Sequence, residues 1–132
     1  MHIKEELFIR GVQRVTDFAL ASNFHVPTIH KIQSAPRGAT CAYYEPRKTS
    51  VFISIHDCAW PVKTGGGRCW SYPGYIVDRT PYGVLAHETG HHMEGLLSRA
   101  AHRAISNEKP ITGYAPNRSE IFAEMARLFI TN

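Results

Sequence analysis

From Leu7 to about Ala21 the apolar residues Phe8, Ile9, Val12, Val15, Phe18, Ala19 and Leu20 recur near the helical period, which predicts an amphipathic helix with Gly11 as its weak point. Beyond it, Pro27 and Pro36 exclude a long helix, and "TIHKI" reads as a short strand. Two strand-like runs follow, residues 39–44 and 50–56, around the turn-forming "EPRKT", so a hairpin is expected. Alternation puts Val51, Ile53 and Ile55 on one face, expected to be buried, and Phe52, Ser54 and His56 on the other. Residues 57–76 lose all periodicity: Trp60, Trp70, Pro61 and Pro73 surround the run Gly65, Gly66, Gly67, and a mobile loop is predicted there. Periodicity returns after Thr80, a helix cap, and Pro81, suited to the first helical position; this helix is expected over residues 81–104 and a last one over 118–130.

The helix after Thr80 contains "HETGH", residues 87–91. Successive helical residues turn by about 100°, so His87 and His91 stack one turn apart on one face, while His92 is swung to the side. Two imidazoles so placed can hold one zinc ion, and Glu88, next to the first of them, is placed to act as general base on water that the zinc activates. The neighbours Val84, Leu85, Thr89, Gly90 and Met93 are uncharged, which lets the helix lie inside the protein. Gly90 costs about 1 kcal/mol against alanine within a helix, and close packing of another element explains it better than propensity does.

A catalytic zinc takes three protein ligands and keeps one position open. A third histidine close after His91 is absent, since position 94 is Glu and position 97 is Leu, and on a continuous helix His102 would lie about 16 Å away. The last helix offers carboxylates instead. Glu120 and Glu124 are four apart on one face, flanked by Ile121, Phe122, Met125, Leu128 and Phe129. One of the pair can ligate zinc and the other can accept the outward ring N–H of a liganding histidine. The competing reading makes both glutamates solvent-facing, with Arg127 nearby.

The chain has 132 residues, 43% hydrophobic and 20% charged, with no repeat or low-complexity tract, and is expected to form one globular domain, residues 1–132. Its net charge of +4 is scattered rather than gathered with aromatics, so no nucleic-acid partner is expected. The charged start "MHIKEELFIRGVQ" has no apolar signal core and no run approaches a membrane span, so no membrane role and a cytoplasmic setting are expected. Cys41, Cys58 and Cys69 form no CxxC pair and read most simply as three free thiols. A Cys58–Cys69 bridge remains open, and a structural zinc on His56, Cys58 and Cys69 lacks a fourth ligand. A cysteine nucleophile is disfavoured, because no cysteine sits at a predicted helix N-terminus.

The segments "HETGH" (87–91) and "EIFAEMARLF" (120–129) resemble those of the gluzincin metallopeptidases, in particular the branch of anthrax lethal factor and the clostridial proline-specific endopeptidases. A looser likeness exists to zinc-dependent domains of phage and mobile-element regulators that cleave repressors. The resemblance implies an α+β, minimal zincin-like fold: an N-terminal helix, a small twisted sheet with an edge strand, an active-site helix and a C-terminal ligand helix. It assigns Glu120 as the third zinc ligand, Glu124 as the residue supporting a ligand, and Tyr114 as stabiliser of the oxyanion. It also implies an extended peptide or flexible protein segment as partner, laid along an edge strand for which residues 50–56 are the nearest equivalent. The expected activity is zinc-dependent peptide-bond hydrolysis with Glu88 as general base; the alternative is an inactive zincin-like binding or regulatory protein.

Overall fold

The computed structural model describes residues 2–59, 63–64, 76–97 and 118–131. Helix α1 (Ile3–Ser22) begins four residues earlier than the apolar periodicity suggests. His2 caps it by accepting from the Lys4 N–H at 3.1 Å, and Glu5 and Glu6 complement the positive end of the helix dipole. It ends where Asn23 turns left-handed (φ 59°) and returns its N–H to the last turn.

Three strands follow: β1 (Thr28–Lys31), β2 (Ala42–Glu45) and β3 (Ser50–Ile53). The β2–β3 hairpin forms as expected, turning through a short 3-10 segment at Pro46–Lys48. Its position differs from expectation. The order is β1-β3-β2, with β1 parallel to β3, so the segment around residues 50–56 is central and β2 is the edge. The short "TIHK" strand supplies the second neighbour that displaces β3 from the edge. Val51, Ile53 and Ile55 are buried as predicted, but so is Ser54. Strand alternation stops at Ile53 because a 3-10 turn follows at Ile55–Asp57, and the Ser54 hydroxyl turns inward to donate to the Gln33 carbonyl at 3.0 Å.

The cysteines also correct the expectation of free thiols. Cys41 and Cys58 form a disulfide with Cα atoms 5.1 Å apart, tying the residue before β2 to the turn after β3. That pairing removes Cys58 from any bridge to Cys69 or zinc site with His56. The expected loop over residues 57–76 is in part ordered backbone: β4 (Lys63–Thr64) pairs antiparallel with β5 (Ile76–Val77). Trp60, Trp70 and the glycine run lie outside the described residues.

Helix α2 (Pro81–Glu94) starts as predicted, with Thr80 accepting from the Tyr82 N–H and itself held by Asp78. It is ten residues shorter than expected. Gly95 interrupts it, and Leu96, 60% exposed, offers no burial to carry the helix on. With the helix closed at Glu94, the length argument against His102 lapses; His102 itself lies outside the described residues. Helix α3 (Arg118–Thr131) matches its prediction closely.

The fold is therefore a small α+β arrangement in which α2 is the central element, packed on the sheet and flanked by α1 and α3. Residues 83–90 are all buried. Both helix crossings use glycine. A Cβ at Gly11 would lie 2.9 Å from Leu85 Cδ1, so this position is a contact with α2 rather than a weakness of α1. One at Gly90 would lie 2.8 Å from Ala126 Cβ and 2.9 Å from Ala123 Cα, so α3 lies almost against the α2 backbone. Arg14 of α1 also donates to the Ile130 carbonyl near the end of α3 at 2.6 Å. Among the described residues, no helix is long and apolar enough to cross a membrane.

Replacing Gly90 by alanine is expected to destabilise the protein by about 1–3 kcal/mol, since the new methyl group meets backbone that must move bodily. Urea denaturation measures this as a lower midpoint at unchanged slope; an unchanged midpoint would show that α3 yields freely.

Candidate metal centre

The close α2–α3 crossing brings Glu120 across from the two histidines. His91 Nε2 lies 2.7 Å from Glu120 Oε1, and His87 Nε2 lies 3.5 Å from Glu120 Oε2. One donor atom from each of His87, His91 and Glu120 can be chosen so that all lie within 4.8 Å of one another, and these residues could hold a metal ion. Ligand atoms around a tetrahedral ion are separated by roughly 3.4 Å for bonds of the usual zinc length, so the group needs only small side-chain shifts to converge.

The outward ring nitrogens fix which atoms face the centre. His87 Nδ1 donates to Glu124 Oε2 at 2.8 Å, and His91 Nδ1 is 3.0 Å from Ser119 Oγ. Both rings thus engage a partner through Nδ1 and turn Nε2 toward Glu120, as a metal-ligating histidine requires. Glu124 is fully buried and is itself approached by Arg127 Nε at 3.1 Å and Arg79 Nη2 at 3.7 Å. The two carboxylates differ in place: Glu120 faces both Nε2 atoms, and Glu124 supports the His87 ring from behind.

Burial works to raise the Glu120 carboxyl, but hydrogen bonds from His87 and His91 outweigh it and hold the group well below the usual carboxylate range. Burial opposes charge on the His91 ring, yet Glu120 and the nearby Glu88 carboxylate prevail and raise its pKa. Glu88 is 8% exposed, and desolvation pushes its carboxyl up against the pull of His87 and His91.

These groups open onto a cleft of about 1050 Å³, bordered on one side by His87, Glu88 and Glu120 and on the other by β2 and the residues leading into it. His92 ties the two sides together. Its Nε2–H donates to the His25 carbonyl at 2.7 Å, which leaves Nδ1 to accept from the Tyr44 hydroxyl of β2 at 2.9 Å. Burial raises the Tyr44 phenol above its ordinary pKa and keeps it a donor.

His87, Glu88, His91, Glu120 and Glu124 all converge here; Tyr114 lies outside the described residues. The sequence does not single out Arg79, Ser119 or Tyr44, places His92 only to the side of the metal-facing histidines, and brings in Arg127 only in the competing solvent-facing reading of the glutamates. Arg127 was detectable in principle, being three residues after Glu124 on the same helix, and Ser119 adjoins Glu120; nothing in the chain marks Arg79 or Tyr44. Comparison with known protein families, curated proteins and solved structures found no match to this chain.

Competition with a chromophoric chelator should show one tight site for a divalent metal. Ser119→Ala is expected to weaken it roughly tenfold through loss of ring orientation, and Glu120→Gln by more, through loss of a ligand. Equal affinity in all three proteins would remove Glu120 from the centre.

Proposed function

We propose that this chain is a minimal, zincin-like zinc metallopeptidase that hydrolyses peptide bonds in extended polypeptide. The observation that carries the reading is the convergence of His87, His91 and Glu120 in one cleft with Glu88. Two imidazole nitrogens and a carboxylate suit zinc, and the cleft leaves room for water and substrate. Zinc held there supplies Lewis acidity, lowering the pKa of water and polarising a carbonyl.

The chain's own residues do the rest. Glu88 accepts the proton of the attacking water as its oxygen bonds to the carbonyl carbon, then passes that proton to the amine nitrogen as the C–N bond breaks. Glu124, held by Arg79 and Arg127, keeps His87 in the tautomer that presents Nε2. The family resemblance gives Tyr114 the role of donor to the developing oxyanion. An extended segment is the substrate because β2, which has β3 as its sole strand neighbour among the described residues, borders the cleft and can take another strand. The Cys41–Cys58 disulfide favours an oxidising compartment and weighs against the cytoplasmic setting expected from the sequence.

Glu88→Gln should keep the metal and the fold but lower peptide hydrolysis at least 100-fold, because an amide cannot take the proton. Metal content and mass-spectrometric mapping of products from a denatured proteome digest check both halves. Loss of metal with activity would make Glu88 a ligand, and absence of chelator-sensitive cuts by the metal-loaded wild type would favour the binding-protein alternative.

A further inference from the structure

Three rings from three adjacent strands stack into a ladder across the sheet. Phe52 of β3 lies between His30 of β1, with centroids 4.8 Å apart and planes 14° apart, and Tyr43 of β2, at 5.1 Å and 13°. The three residues are cross-strand partners in both ladders, so each ring is a rung set by strand pairing. Their spacing matches the separation of about 4.8 Å between neighbouring strands. The rungs stand on the face of the sheet away from α2, since the alternate residue Tyr44 turns toward α2 to reach His92.

The ladder's two ends differ. His30 ends it at β1, which does not border the cleft, whereas Tyr43 ends it at β2, the strand whose backbone borders the cleft. Among the described residues Phe52 is the only ring stacked on Tyr43, which leaves the opposite face of Tyr43 toward the open edge. Backbone polarity at that edge follows from the ladder. The Ser54 N–H donates to the Cys41 carbonyl at 2.8 Å, so alternation makes Tyr43 and Phe52 a hydrogen-bonded pair and turns the N–H and C=O of Ala42 and Tyr44 outward. A peptide adding antiparallel to β2 would bond to Ala42 and Tyr44. Its residue opposite Tyr43 would then occupy a non-hydrogen-bonded position, where side chains approach most closely, with Cα atoms about 4.5 Å apart.

We propose that Tyr43 determines substrate specificity, its outward ring face forming a subsite for a planar side chain, aromatic or guanidinium, which becomes the next rung of the ladder. This inference rests on the peptidase reading and concerns one substrate position, whose side chain points away from the metal helix. A planar group gains an offset-stacked or cation–π contact there that an aliphatic one of similar size lacks.

Two readouts test it. In the first, the metal-loaded protein cleaves a degenerate peptide library, and one position relative to the cut should prefer Phe, Tyr, Trp, His or Arg over Leu by about 2- to 12-fold in kcat/KM. Tyr43→Leu should abolish that ratio and Tyr43→Phe should preserve it; circular dichroism melting confirms that both variants fold. In the second, metal-loaded Glu88→Gln protein captures intact peptides from the same library. Planar residues should be enriched at one position, and the enrichment should disappear in the Glu88→Gln/Tyr43→Leu double variant. Cleavage with no planar preference, or with a preference unchanged by Tyr43→Leu, overturns the role of Tyr43 while the peptidase reading stands. Failure of the wild type to cleave overturns the peptidase reading, and the capture profile then decides for or against Tyr43 alone.

Discussion

The near-contact of two helix backbones at Gly90 governs the candidate centre. No side chain separates α2 from Ala123 and Ala126 of α3. Glu120 lies one turn before Ala123 on α3, and His87 and His91 bracket Gly90 on α2, so the contact point and the donor group share one crossing. Carboxylate and imidazole side chains are short compared with the usual 8–10 Å between packed helices, and only a close crossing lets both reach a common point without stretching. The same crossing explains a buried helix with a glycine at its middle, where propensity alone argues against one.

Behind that contact stands a polar layer that would be costly if left incomplete. Glu124 and Arg127 belong to α3, Arg79 to the entry of α2, and His87 to α2 itself, so one buried cluster joins both helices and the turn that starts the first. Charged groups placed this deep require partners from several directions, and meeting that requirement restricts how α2 and α3 can slide or rotate against each other. The cluster thus orients the His87 ring and aligns the helices with the same hydrogen bonds. His92 plays a comparable part on the other flank, joining α2 to β2 through Tyr44 and to the loop before β1 through the His25 carbonyl.

Local signals in the chain carried most of the helical framework. The Thr80–Pro81 cap, the four-residue spacing of His87 and His91 and that of Glu120 and Glu124 depend on neighbouring residues alone, and all reappear in the structure. What was misjudged depends on distant partners. Whether β3 is central or peripheral turns on β1, a short strand that "TIHKI" indicates but whose pairing with β3 no local pattern specifies. The Cys41–Cys58 link spans 17 residues and unites segments that come together only once the hairpin is made. The expected end of α2 at residue 104 passed over Gly95, which caps the helix and is followed by Leu96, a residue that faces solvent.

The open side of β2 also has a consequence for the protein's solution behaviour. Unpaired strand backbone that can receive a substrate can equally receive the same strand of another copy, and such edges are a common origin of aggregation. Along β2 the exposed backbone spans only the four residues Ala42–Glu45. At one end Pro46 follows, lacking an N–H to extend the pairing, with Arg47 and Lys48 exposed beside it. At the other end the disulfide through Cys41 limits how far the strand can peel away and lengthen. Reducing conditions would release that end first, so colloidal stability and redox state are coupled through a strand whose backbone must stay accessible.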